Sequence, residues 1–247
     1  MITATSISRT FTNRQGLKTR VLGDVSLSVT KGEFVAVMGP SGSGKSTLLY
    51  HLSGMATPDT GTILFRGTDL AAVDETARAR LRLLDMGFVF QENHLLANLS
   101  LLENIILPGL LARNRQRRAV LEHGRALLDQ VGLSELGDRM ITEASGGQLQ
   151  RIGICRALIN EPAIIFGDEP TGALNSVASA EVMALLDTVH RAGTTVFVVT
   201  HDHRVASRAD RILLMRDGRI VNQLEHGCAE PERAGEVVRI WLERQGV

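Results

Sequence analysis

Residues Gly39-Pro40-Ser41-Gly42-Ser43-Gly44-Lys45-Ser46-Thr47 satisfy the pattern G-x-x-x-x-G-K-[ST] at every fixed position. The types and spacing specify phosphate chemistry. The glycines let the backbone curl so that successive N–H groups point inward at phosphate oxygens. A helix beginning at the end of the loop adds unpaired donors and a partial positive charge. Lys45 brings a full charge for β- and γ-phosphates, and the Ser46 hydroxyl is placed to ligate Mg²⁺. The loop implies a nucleoside triphosphate without saying which reaction follows.

Four further groups fit that chemistry. Asp168 and Glu169 end an apolar run, where the first acid of a phosphate-loop protein holds Mg²⁺ and the second can polarise an attacking water. Gln91 ends another short apolar run and is a candidate to reach the metal and the γ-phosphate; a hydrogen-bonded loop glutamine fits the same position. His201 follows a third such run, placed for the γ-phosphate or the water. Ser145-Gly146-Gly147-Gln148 reads as an N-cap followed by a bare helix start, a second anion site by the same physics; a helix with a glycine-weak start reads the same way.

The elements that must carry these groups follow from periodicity. Phe34–Met38, Met86–Gln91, Ala163–Asp168 and Thr194–Thr200 are short runs with few polar residues, expected as strands buried on both faces. Residues 2–11 alternate as an edge strand does, 12–20 read as a hairpin loop, and 21–29 read as a half-exposed strand. A further strand is expected over Thr60–Gly67 and a closing hairpin at Asp217-Gly218. Helices are expected after the loop to about Gly54, over Asp74–Leu84, through the apolar segment Leu95–Leu107, over the spacing Val120, Leu121, Leu127, Leu128, Val131 capped by Gly132, and from Ser145 to about Asn160. The run Arg113, Arg115, Arg117, Arg118 reads as a solvated helix start or as a contact to a membrane partner or to lipid headgroups. A last helix over Pro231–Gln245 places Val237, Val238, Trp241 and Leu242 on one side, expected to pack on the domain, with a partner-facing helix as the alternative.

The bulk numbers set limits. The chain has 247 residues, 44% hydrophobic, with 27 basic and 27 acidic side chains, so a core is affordable and net charge gives no pointer to nucleic acid. Cys155 and Cys228 stand far apart in no metal-like spacing and read as buried free thiols of a reducing compartment. The start Met1–Ser6 lacks a basic segment and an apolar stretch, so no signal peptide is expected, and no window reaches roughly 18 apolar residues; Leu95–Ala112 is broken by Asn98, Glu103, Asn104 and Pro108.

Together these residues resemble the ATPase subunits of ATP-binding cassette transporters over essentially the whole chain. The motifs stand in that family's order: Phe11, the phosphate loop 39–47, Gln91, the signature 144–148, the run 164–169, Gly172-Ala173-Leu174-Asn175 and His201. The resemblance implies an α/β fold, a P-loop NTPase core with an antiparallel β subdomain and an inserted α-helical subdomain. It implies one domain over 1–247: core 1–91 and 160–227, helical part 92–159, terminal helix 228–247. It implies ATP and Mg²⁺ as cofactors, Phe11 stacked on adenine, and Ser46, Gln91 and Asp168 at the metal. Glu169, His201 and Gln91 are the implied catalytic set. Ser145, Gly146, Gly147 and Gln148 would close in trans on nucleotide held by a second copy. An integral membrane permease is the implied partner, met at the cytoplasmic face of the plasma membrane, with no nucleic acid.

Within the family, Gln91–Leu96, Asn104–Pro108 and Gly172–Ser176 resemble the branch of lipoprotein-releasing, macrolide-export and bacitracin-type peptide-resistance ATPases. Three positions depart from the family pattern: Ala144 where Leu is usual, Gly167 where Ala or Leu is usual, and Asn175 where Asp is common. An importer ATPase and a soluble cassette ATPase are the competing classes.

Overall fold

Alternation builds the first strand, with Ile2 and Ala4 buried while Thr3 and Thr5 face outward. At Ser6 the backbone turns to φ 50° and the register slips, which returns Ile7 to the buried side. The computed structural model describes residues 1–225 and 231–246; Cys228 and its expected burial lie outside them. The chain divides into two units, Met1–Arg78 with Thr195–Val247, and Ala79–Thr194. The structure is the expected mixture of α and β elements.

In the first unit β1 (Ile2–Thr12), β2 (Lys18–Val29), β4 (Thr60–Phe65) and β5 (Thr68–Asp69) form an antiparallel sheet in the order β2-β1-β4-β5. The expectation of β1 as an edge strand is therefore wrong. Its alternation reports which face is buried, and it says nothing of neighbours; β2 pairs along one edge and β4 along the other. The hairpin loop is also shorter than expected, since β2 already begins at Lys18. The second set of strands is parallel at its centre. β3 (Phe34–Met38), buried at every residue, pairs with β8 (Thr195–Val199) and β9 (Arg211–Arg216), and β10 (Arg219–Glu225) closes as a hairpin on β9. Asp217 and Gly218 make that turn with φ of 48° and 75°, as a two-residue hairpin of this twist requires.

α1 (Lys45–Leu52) follows the loop after β3, and α7 (His203–Ala206) and α8 (Pro231–Arg244) complete the unit. On α8 the buried stripe is Ala234, Val238 and Leu242. Val237 is 46% exposed, which corrects the expectation that it shares the packed side: it falls on the flank of a stripe spaced four residues apart.

The chain passes to the second unit within α2 (Glu75–Asp85). There β6 (Met86–Phe90) and β7 (Ile164–Asp168) pair in parallel, Phe90 opposite Asp168. α3 (Leu101–Ala112), α4 (Arg117–Gln130), α5 (Gly146–Leu158) and α6 (Ser176–Arg191) follow in sequence order. Leu101, Ile105, Val120, Leu128, Ile152 and Cys155 lie in one apolar core. Burial pushes the Cys155 thiol up to about 12, so it stays protonated. α3 starts six residues later than the apolar run. Ser100 caps it in a box with Glu103, and the buried Asn104 amide donates to the carbonyls of Leu96, Leu99 and Ser100, holding 96–100 out of the helix. Arg115 pairs with Glu161 at 2.9 Å and Arg118 with Glu122 at 2.8 Å. No helix among the described residues is long and apolar enough to cross a membrane.

Candidate nucleotide-binding and hydrolysis site

The first unit builds the phosphate loop as read. β3 ends at Met38 and α1 begins at Lys45, with Gly44 as a left-handed N-cap. Two glycines are obligatory here. A Cβ on Gly39 (φ 147°) would stand 2.0 Å from the Met215 carbonyl oxygen, and one on Gly44 (φ 98°) 2.6 Å from that of Val21. The loop is thus pressed against β2 and β9. Lys45 Nζ donates to the Gly39 and Pro40 carbonyls at 2.8 and 3.0 Å. The Ser43 hydroxyl is buried and has no hydrogen-bond partner among the described residues. An ammonium held inside the loop and an orphaned hydroxyl suit an arriving polyanion rich in acceptor oxygens.

His201 follows β8 and is exposed. With Met38, Gly39, Pro40 and Ser41 it lines a cleft of about 360 Å³, and α8 adds Arg239 and Glu243, paired with each other. The structure therefore brings His201 to the loop, and it adds a side of that cleft the sequence did not suggest. Phe11 is 46% exposed on β1, with the Arg9 guanidinium 4.9 Å over its ring.

The second unit gathers the remaining residues. Gln91 directly follows β6, and Asp168 and Glu169 stand at the end of β7. Glu169 sits at φ 47°, an unusual conformation for a residue with a side chain. A Cβ added at Gly172 would lie 3.3 Å from Gln91 Cδ and 3.4 Å from Glu169 Cβ, so the loop after β7 packs against both. Ser145 is the N-cap of α5: its hydroxyl accepts from the Gln148 N–H at 3.4 Å, and its own N–H donates to Gln148 Oε1 at 2.8 Å. Both polar side chains of the signature are engaged in this capping box. The two glycines differ. Gly146 is open, whereas a Cβ on Gly147 would lie 2.7 Å from Ala178 Cβ on α6.

The family model described as "ABC transporter" matches residues 22–172. The chain belongs to the ABC transporter family. The lipoprotein-releasing system ATP-binding protein LolD of Anaeromyxobacter dehalogenans is 48% identical over 84% of this chain and 87% of that protein. The macrolide export ATP-binding/permease protein MacB of Rhodospirillum rubrum is 46% identical over 82% of this chain, which spans only 31% of that protein's length. Among solved structures, the dimeric ATP-binding cassette MJ0796 bound to ADP and Pi superposes with a TM-score of 0.86 at 33% identity, covering 92% of this chain and all of that one. The resemblance in the sequence is confirmed, the fold is that of an ABC cassette, and the activity is ATP hydrolysis.

One residue of this ABC cassette escaped the sequence reading, and another, Asn175, was noted there only as a departure from the family pattern. Gln150 on α5 is 1% exposed, and its amide donates to the Phe90 and Pro170 carbonyls at 3.1 and 2.7 Å. The available signal was a polar residue four positions before Ile154 on the helix's buried face. Asn175 is the N-cap of α6, accepting from the Ala178 N–H at 2.9 Å.

Proposed function

We propose that this chain is the ATP-hydrolysing engine of an export or mechanotransmission system. It would dimerise head to tail on ATP and act on a membrane permease at the cytoplasmic face of the plasma membrane. The observation that carries this is the phosphate loop, a strand-to-helix turn that two glycines alone permit, on a chain close in sequence to LolD and MacB. The names of those relatives support lipoprotein release or drug export as the class of work, and the permease as partner.

In this reading Gly39–Thr47 cradle the phosphates, and Lys45 leaves the loop carbonyls for the β- and γ-phosphate oxygens. Phe11 takes the adenine face. Ser46, Asp168 and Gln91 offer a hydroxyl, a carboxylate and an amide oxygen, the hard donors that suit Mg²⁺. The metal would supply charge neutralisation at the phosphates. Glu169 accepts a proton from the attacking water as its oxygen bonds to the γ-phosphorus, and the bond to the bridging oxygen breaks to release ADP. His201 and Gln91 orient that water. Ser145, Gly146, Gly147 and Gln148 of a second copy close on the γ-phosphate, so hydrolysis removes the charge that holds two helix ends together.

The test is a pull-down of tagged Glu169→Gln protein with ATP from detergent-solubilised membranes of the native host. The expected result is a trapped dimer, with a permease of few membrane helices and a large extracytoplasmic domain recovered. Normal turnover by Glu169→Gln would refute its role as base. Recovery of a solute-binding importer, or of ribosomes or DNA enzymes without a membrane protein, would overturn the proposed partner.

A further inference from the structure

Arg9 and Phe11 stand two residues apart on β1, and the Arg9 guanidinium carbon lies 4.9 Å over the Phe11 ring centroid. That is inside the reach of about 6 Å within which an aromatic face attracts a cation. The ring has two faces. With Arg9 over one of them and Phe11 still 46% exposed, the open face is the other.

The guanidinium is held in that place. Its Nη1 donates to Asp59 Oδ1 at 2.7 Å and lies 3.5 Å from the Thr57 carbonyl oxygen. The other Asp59 oxygen accepts from the Thr10 N–H at 2.7 Å, and the Asp59 N–H donates to the Ser8 carbonyl at 2.8 Å. One acid just before β4 thus grips Ser8, Arg9 and Thr10 in turn. An arginine loose on a surface strand turns its charged head to water. Here Nε is buried and has no hydrogen-bond partner among the described residues. The guanidinium keeps its place over the ring although one of its donors is left unsatisfied, which carries a cost.

We propose that Arg9 is a positioning residue for the nucleotide base: pinned by Asp59, it backs the Phe11 ring from one side, so that the other side is a fixed stacking face. This rests on the reading of Phe11 as the adenine platform. An aromatic face carries negative charge density. A cation on one side draws that density toward itself, and an electron-rich base then meets less repulsion on the opposite side. The pinning also orders the ring before nucleotide arrives, so less side-chain freedom is lost on binding.

The experiment is isothermal titration calorimetry of the full chain with ADP and, separately, with inorganic pyrophosphate, which has phosphates and no base. In Arg9→Met, ADP binding should weaken about two- to fivefold, the size of an exposed cation–aromatic contact, with pyrophosphate binding unchanged. Arg9→Lys, which keeps a cation on the strand, should recover part of the loss. In Phe11→Leu, ADP binding should already be weak, and adding Arg9→Met should weaken it no further. Asp59→Asn, which keeps the side chain's size and loosens its hold on the guanidinium, should show the same base-only loss and decides the matter if Arg9→Met fails to fold. Weakened ADP binding in Phe11→Leu but not in Arg9→Met would overturn the proposal and leave the platform standing. No effect of Phe11→Leu would overturn both. Weakened pyrophosphate binding in Arg9→Met, or a loss of ADP binding that persists in full on the Phe11→Leu background, would overturn the proposal by showing that Arg9 acts elsewhere than through the ring.

Discussion

The side-chain amide of Gln150 donates to the backbone carbonyl of Pro170 at 2.7 Å, and the same nitrogen reaches the Phe90 carbonyl at 3.1 Å. One buried group on the signature helix is thereby tied to the residue before Gln91 and the residue after Glu169. Gln150→Leu leaves two carbonyls without that donor, an expected loss of about 1–3 kcal/mol. Because the tie ends beside Gln91 and Glu169, kcat should fall while ADP affinity stays near wild type. Urea unfolding and steady-state ATPase assays check both halves; unchanged stability would show that the tie is dispensable.

Asn175 stands where the family commonly has Asp, and its side chain caps α6. Asn175→Asp keeps the cap, so stability should be preserved, while ATPase turnover changes at similar ATP affinity. Asn175→Ala removes the cap and should cost about 1 kcal/mol. Thermal unfolding and turnover measured on both variants separate the roles. Unchanged turnover in Asn175→Asp would refute a part for this side chain in coupling.

The two signature glycines should respond differently to alanine. Gly147→Ala places a methyl 2.7 Å from Ala178 Cβ, a contact between two short side chains with no rotamer to yield, and should destabilise by about 1–3 kcal/mol. Gly146→Ala meets nothing nearer than Leu174 Cδ2 at 3.9 Å and should be near neutral. Equal denaturation midpoints for the two variants would contradict this.

His51, at the end of α1, is 1% exposed; its Nδ1 lies 2.7 Å from the Thr47 carbonyl, and its Nε2 has no hydrogen-bond partner among the described residues. Burial holds its pKa below the ordinary 6.5, partly offset by the Thr47 bond. The unfolded chain therefore binds the proton more readily, and stability falls as pH drops below about 6.5 toward the lower folded value. Unfolding free energies measured between about pH 7 and about pH 5 should fall less steeply in His51→Phe than in wild type.

Much of the site was legible because its chemistry is local. A phosphate loop needs glycine, lysine and a hydroxyl at fixed spacing within one turn, and an N-cap needs its serine next to its own helix. Buried strands announce themselves as apolar runs, so the ends of β6, β7 and β8 could be placed, and with them Gln91, Asp168, Glu169 and His201. The start of α3 was misread because Leu95, Leu96 and Leu99 are apolar whether helical or not. The buried amide of Asn104, which decides the matter, takes its meaning from the carbonyls around it.

The sequence by itself determined the chemistry, the order of the motifs and the kind of element bearing each, since these rest on neighbours along the chain. Tertiary structure alone decided what depends on neighbours across it. It made β1 an inner strand by pairing both of its edges, because alternation encodes a buried face and no partner count. It made Gly39 and Gly147 steric necessities, because the atoms they must clear belong to Met215 and Ala178. It turned Gln150 into the tie between two strand ends, because a buried amide finds its acceptors in segments 60 and 20 residues away.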